Sequence, residues 1–301
     1  MATRIEAYVL LNGSWKPDAA EFAAVLEARY PGIGRVEATG AEEGSGRPHV
    51  FSVDGAAVQM SIVNAPYPPE QLTPPLRLVE HVDPEVPARM QVAYAILSAE
   101  WTPLEGEDAA RANAEIAGAY NALLTLLAAT VASEAPSVAT FWAESWRIKT
   151  EEEMAEAASA LMRGRPPYDL WYSLAELKGA RVGGAEMRGM MSFGLKVFCD
   201  REVELAPAPV TPVTAHALSR IVAERLLTGE LVEDREPLAH EALEEPAVIR
   251  LADRFMRPRQ KVVLLVLPGA TINSETLEPK RQVGAARGGL VSRLFGSGGR
   301  R

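Results

Sequence analysis

One cysteine, Cys199, and four histidines are all the thiol and imidazole chemistry in this 301-residue chain. A single thiol excludes an internal disulfide framework and fits a reducing compartment. His49, His81, His216 and His240 lie at no metal-ligand spacing from one another or from Cys199, and neither H-E-x-x-H nor C-x-x-C occurs. No metal and no cofactor are therefore expected. The glycines of Gly32-Ile33-Gly34, Gly44-Ser45-Gly46 and Gly183-Gly184 lack the spacing and the strand-to-helix setting of a phosphate-cradling loop, and read as turns. Long apolar runs are also missing. The most apolar stretch, 117–132, holds Asn121, Thr125 and Thr130 and is shorter than the ~20 residues of a spanning helix. Glu6 interrupts the N-terminus, and residues 9–11 are too short for the apolar core of a signal peptide. These absences predict a cytoplasmic protein with no transmembrane segment.

Basic charge is scarce except at one end. The net charge is −9; residues 280–301 carry six Lys or Arg and no acid, and removing those six leaves −15 on residues 1–279. Nucleic-acid binding rests on cations that neutralise phosphates, so the acidic body is not expected to bind nucleic acid. Apolar residues make up 48% and charged residues 24%, which is globular composition.

What is present is a repeat. Ala7-Tyr8-Val9-Leu10-Leu11-Asn12-Gly13-Ser14-Trp15-Lys16-Pro17 returns as Ala93-Tyr94-Ala95-Ile96-Leu97-Ser98-Ala99-Glu100-Trp101-Thr102-Pro103. Each copy predicts a buried strand, a Trp-x-Pro turn and an Ala-rich helix with acidic residues at its start. Asp18 is the expected cap of the first helix. The copies align onward to strands beginning at Val36 and Val138, the latter parallel to the strand at 92–101 if the crossover is right-handed. Asp54-Gly55 between two apolar runs predicts a hairpin. Further strands are expected at 169–177, 187–198, 248–251 and 262–267, with helices at 76–82, 151–162 and after Thr211-Pro212. The predicted fold is α+β, two lobes from an imperfect internal repeat, each a mixed sheet with packed helices. Its parts are an N-terminal lobe at 1–87, a larger lobe at 88–272 and a basic, disordered tail at 273–301.

The Ala/Leu-rich helix leading to Val138 and Trp142 carries a resemblance, with Tyr168-Asp169-Leu170-Trp171, Gly189-Met190-x-x-Phe193-Gly194, and the helix around His216 running to Gly229 and Leu231. Over roughly residues 90–268 the chain resembles a family of uncharacterised bacterial proteins with a C-terminal domain of unknown function. It departs from that family at Asp234-Arg235-Glu236-Pro237-Leu238, where a Gly-rich turn is expected. The resemblance implies no known activity.

Two functional readings stay open. The first is a non-enzymatic module that recognises another protein, in a toxin–immunity or stress-related setting. Its binding residues would be the strand-end tryptophans Trp101, Trp142, Trp146 and Trp171, since tryptophan is enriched in binding hot spots. The second is an enzyme of unknown reaction with a site between the lobes, built from Glu100, Glu144 or His216; paired carboxylates at strand ends can divide acid and base roles. The apolar Leu290-Val291-Ser292-Arg293-Leu294-Phe295 in the basic tail leaves open docking on a membrane surface or a partner.

Overall fold

The computed structural model describes residues 2–40, 48–73, 85–105, 109–182, 184–253, 255–256 and 260–270. The expected helix at 76–82 and the tail at 273–301 lie outside them.

The chain opens with β1 (Thr3–Leu11) and α1 (Ala19–Arg29). Asp18 caps α1 as expected, its carboxylate accepting the N–H groups of Ala20 and Glu21 at 2.9 Å. β2 (Glu37–Thr39), β3 (His49–Val53) and β4 (Ala56–Val63) follow. Asp54 (φ 49°) and Gly55 (φ 85°) are both left-handed, the requirement of a type I′ turn, so the Asp-Gly hairpin forms where the pair of residues demanded it. A 3₁₀ turn (Pro69–Gln71) and α2 (Glu85–Met90) lead to β5 (Ala93–Trp101), the long α3 (Ala109–Glu134), β6 (Ser137–Trp142) and β7 (Arg147–Lys149). α4 (Glu151–Met162) starts on a capping box between Thr150 and Glu153. Then come α5 (Tyr168–Trp171), β8 (Ser173–Val182), β9 (Ala185–Phe193), α6 (Lys196–Cys199) and β10 (Glu202–Ala208). α7 (Pro212–Leu227), β11 (Pro237–Leu238), β12 (Ala247–Ala252) and β13 (Val262–Val266) complete the described chain.

The fold is α+β with two sheets. The first has the order β2-β3-β4-β5-β1-β6-β7 and the second β11-β12-β13-β10-β9-β8. Only the second is mixed, through the parallel pair β10 and β13; every pairing in the first is antiparallel. β1 lies between β5 and β6, so residues 1–87 do not form a sheet of their own. The expected break near residue 87 falls inside the first sheet, and the change of sheet comes between β7 and β8. The cause is the repeat itself. In sequence Ala7 corresponds to Ala93 and Leu11 to Leu97; in the sheet Ala7 lies opposite Leu97, Leu11 opposite Ala93 and Val9 opposite Ala95. The two copies pair with each other around a local twofold at Val9 and Ala95, burying in one ladder what was expected to found two lobes.

β6 runs parallel to β5, as the crossover rule required, with β1 inserted between them. The proposed equivalence of the strands at Val36 and Val138 does not hold, because β2 is the far edge of the sheet and β6 adjoins β1. Two expected strands end or begin in helix. Residues 168–171 form the helical turn α5 before β8, and the chain leaves β9 at Gly194 to form α6. Gly194 has φ 100°, and a Cβ there would stand 2.4 Å from the Trp171 carbonyl oxygen, so the two segments approach only because Gly occupies this position.

Odd-numbered residues of β1 and β5 face the helices. Ile5, Val9, Ala95 and Leu97 share one continuous core with Leu124 and Leu127 of α3, Met154 of α4, Leu218 and Val222 of α7 and Val263 of β13. α3 is long and apolar enough to cross a bilayer by length and composition, contrary to the expectation from residues 117–132, and 67% of its most apolar window is buried inside the protein. Its polar side chains are satisfied internally: Asn121, Thr125 and Thr130 donate to carbonyls one turn back, at 2.7–2.8 Å.

Candidate functional site

The opposite face of the first sheet carries the unusual chemistry. Its even-numbered positions place Arg4, Glu6, Tyr8 and Leu10 of β1 beside Tyr94, Ile96, Ser98 and Glu100 of β5. Tyr8, Tyr67, Tyr94 and Phe141 form a ring cluster with centroid separations of 4.6–6.1 Å, and Trp146 meets Phe141 edge-on at 5.9 Å. Glu6 stands at the border of this cluster. One of its oxygens takes the Arg4 guanidinium and the other accepts the Tyr8 hydroxyl, each at 2.5 Å.

Glu144 completes the arrangement from the turn between β6 and β7. The backbone N–H of Glu6 donates to Glu144 Oε1 at 2.9 Å, and Ala143 N–H returns a bond to the Glu6 carbonyl at 3.1 Å. The second carboxyl oxygen, Oε2, is buried with no hydrogen-bond partner among the described residues. Burial pushes the Glu144 carboxyl up to about 8; the Glu6 charge adds to this, while the backbone N–H donors and the Lys196 ammonium oppose it. Burial also raises Tyr8 and Tyr67 above the ordinary phenol range, and both carboxylates reinforce it. Burial thus favours the protonated form of Glu144 at neutral pH, beside an anchored Glu6.

The remaining candidates do not join it. Glu100 is exposed and lies opposite Arg4 across the β1–β5 ladder. His216 is half-buried on α7, whose adjoining surface carries the Arg220–Glu224 ion pair at 2.7 Å. His240 Nδ1 accepts from Ala242 N–H within its own turn. Three of the four tryptophans expected to bind a partner are core residues, which corrects that reading. Trp101 is buried and stacks on Tyr120 at 4.8 Å, Trp142 is fully buried, and buried Trp171 donates its indole N–H to Thr125 Oγ1 at 3.0 Å. Trp146 alone keeps a partly exposed surface. Cys199 is half-buried, its Sγ directed at the carbonyls of Leu195 and Arg201 at 3.5 and 3.4 Å, and burial pushes the thiol up to about 12. That is an unreactive thiol. Among the described residues no three His, Cys, Asp or Glu side chains gather as a metal site.

Sequence reasoning named Glu144 but missed Glu6, Tyr8 and Tyr67. Tyr8 was visible only as part of the repeat. Tyr67 sits in a proline-rich segment with no periodicity to show which way it faces.

A second feature is an open groove of about 470 Å³ between α4 and the segment leading to α5. Lys149, Glu153, Glu156, Arg163, Arg165 and Asp169 supply its charge. Its walls are set by backbone. The capping box fixes the start of α4, and Pro166-Pro167 stiffens the opposite rim. At the end of α4 the Arg165 N–H bonds the Ala160 carbonyl and the Gly164 N–H the Leu161 carbonyl, with Gly164 at φ 71°; this is a Schellman closure that holds Arg163 and Arg165 on either side of the glycine. Lys149 is shared by Glu153 at 3.1 Å and Asp169 at 3.4 Å, whereas Glu156, Arg163 and Arg165 have no ion-pair partner among the described residues.

Comparison with family models, curated proteins and solved structures finds no match to this chain.

Proposed function

We propose that the protein is a non-enzymatic recognition module for another protein, and that the groove along α4 is its contact surface. The observation that carries this reading is the groove itself: its backbone is fixed, while Glu156, Arg163 and Arg165 have no ionic partners among the described residues, Arg163 donating only to the Ser159 hydroxyl. Preorganised, unpaired charge in an open concavity suits electrostatic recognition of a macromolecule, which gains specificity and association rate from complementary charge. The unpaired charges of the groove, Glu156 against Arg163 and Arg165, favour an acidic segment of the partner there, while the −15 of residues 1–279 keeps the body off nucleic acid. Recognition of another protein through this groove fits a toxin–immunity or stress-related role in a reducing cytoplasm, and we retain the resemblance over residues 90–268 as a proposal of the same kind.

The test is capture from lysate of the source cell with wild type and with Arg163→Glu/Arg165→Glu. A stoichiometric partner held by wild type and lost by the double variant is the expected result. Equal recovery by both removes the groove, and recovery of no partner by either removes the recognition reading.

One feature favours the enzymatic alternative: burial raises the Glu144 carboxyl to about 8, the direction a general acid needs. Its carboxyl is buried against the β1 backbone, so a substrate reaches it only if the turn moves.

A further inference from the structure

The turn that carries Glu144 also holds the two sheets together. Ser145 Oγ donates to the Leu170 carbonyl at 2.6 Å, and Ser173 Oγ, at the start of the second sheet, donates to the Ser145 carbonyl at 2.6 Å. Trp146 is left-handed at φ 56°, a conformation a bulky residue adopts only when its surroundings impose it. Its ring packs on the aromatic cluster of the first sheet and on the apolar cluster of Ala175, Met191 and Phe193 in the second. Four consecutive residues therefore tie β1, α5, β8 and both outer faces together, and the tie to β1 is the Ala143 N–H bond to the Glu6 carbonyl together with one oxygen of the Glu144 carboxyl, whose other, buried oxygen has no partner among the described residues.

We propose that the 143–146 turn is a proton-operated joint between the sheets: protonated Glu144 seats the turn on β1, and ionised Glu144 draws its carboxylate out to water, releasing Trp146 from the seam. The physical asymmetry is that a neutral carboxyl tolerates burial with half its hydrogen-bonding capacity unused, whereas a carboxylate does not. The groups that face it act with known signs. Glu6 of β1, fixed by Arg4 and Tyr8, repels the ionised form, and Tyr67 supplies no compensating cation. Lys196 of α6 is the cation that favours ionisation. Arg147, next to the turn, pairs in register with Trp142 on the helix-facing side of the sheet. Opening belongs to the alkaline side, with a midpoint near the value of about 8 that burial gives the Glu144 carboxyl. The joint does not rest on the proposed role of the groove, and its test needs no partner.

The test uses ¹⁹F NMR of the full chain labelled with 5-fluorotryptophan, the Trp146 resonance being the one lost in Trp146→Phe. In wild type the H₂O/D₂O solvent-isotope shift of that resonance increases between pH 6 and 9.5. In Glu144→Gln it stays protected throughout. Lys196→Ala, which alters an exposed side chain, moves the midpoint to higher pH, and Glu6→Gln moves it to lower pH. The proposal is overturned if Trp146 is equally protected at both ends of the range in wild type, or if Glu144→Gln titrates as wild type does. Should Glu144→Gln fail to fold, identical midpoints in Lys196→Ala and Glu6→Gln overturn it instead, since general alkaline loosening has no reason to follow those two charges in opposite directions.

Discussion

Replacing Glu144 by Gln removes one titration and leaves the size of the side chain unchanged, so it isolates what the buried carboxyl does to stability. The folded carboxyl sits at about 8 against an ordinary 4.5, and burial is the main cause. Between these two pH values the native state holds a proton that the unfolded chain has released. Stability therefore falls as pH rises through this window, is unaffected by Glu144 below it, and is level above it. At 1.36 kcal/mol per unit of pH, the full effect is on the order of 5 kcal/mol. That figure is a ceiling. If the turn lifts from β1 once Glu144 ionises, the loss cannot exceed the cost of lifting it. Urea unfolding of wild type and Glu144→Gln at pH 5, 6, 7, 8 and 9 measures the term as a difference, which cancels the titration of every other group. The expected result is a variant that gains on wild type by ~2–5 kcal/mol between pH 5 and 8 and holds that gain at pH 9. Parallel stability profiles across the window would show that Glu144 is ionised in the native state at neutral pH, and both the buried acid and the joint built on it would be wrong.

Gly194→Ala places a methyl group 2.4 Å from the Trp171 carbonyl oxygen at φ 100°, and should destabilise by ~2 kcal/mol or more in thermal unfolding; a neutral result would mean the two segments are less closely held than described. Trp171→Phe removes the bond to Thr125 and part of the stacking on Phe198, and is expected to cost ~1–3 kcal/mol with no change in partner recovery. Cys199, with its thiol pushed up to about 12, should resist iodoacetamide at pH 8 until denaturant is added; rapid labelling of the native protein would contradict its burial.

Local chemistry was legible in the sequence wherever a residue type decides the backbone. Asp54-Gly55 could make little but a primed turn, Asp18 and Thr211 cap the helices assigned to them, and the six apolar residues at 262–267 form the interior strand β13. β10 escaped notice because Glu202 and Glu204 break its apolar pattern. Glu202 is nonetheless buried, held by Ser192 Oγ at 2.6 Å and by the N–H groups of Gly194 and Leu195 at 3.0 and 3.2 Å. Those donors lie seven to ten residues upstream, in the end of β9 and the turn that follows it, and only the folded turn aims them at the carboxylate. The tryptophans misled for a related reason. A Trp at a strand end packs as well under a helix as on a surface, and only the placement of α3 and α6 decides which. Glu144 was legible as a strand-end carboxylate, yet its partner is a backbone N–H of β1, set by a three-strand arrangement that the repeat alone did not reveal.

That arrangement gives the repeat its bearing on function. The local twofold at Val9 and Ala95 pairs the two copies, so each flank of the ladder has a counterpart at the other end. By the same correspondence Glu6 matches Val92. Beside Val92, Gln91 exchanges two bonds with the backbone of Tyr67, Nε2 to the carbonyl at 2.6 Å and the N–H to Oε1 at 2.7 Å. Beside Glu6, Glu144 accepts one backbone N–H, and its second oxygen has no partner among the described residues. Next to one end of the ladder a neutral amide has both ends of its side chain engaged, on the backbone of the segment after β4. The other end of the ladder is closed by a group of the same shape that can lose a proton. Glu144→Gln copies the chemistry of the first end onto the second, and its predicted gain in stability above neutral pH measures what keeping an ionisable group there costs the fold. Gln91 clips its own stretch of backbone, at Tyr67, without carrying that cost, and this contrast is the argument for placing a switch at Glu144 and none at Gln91.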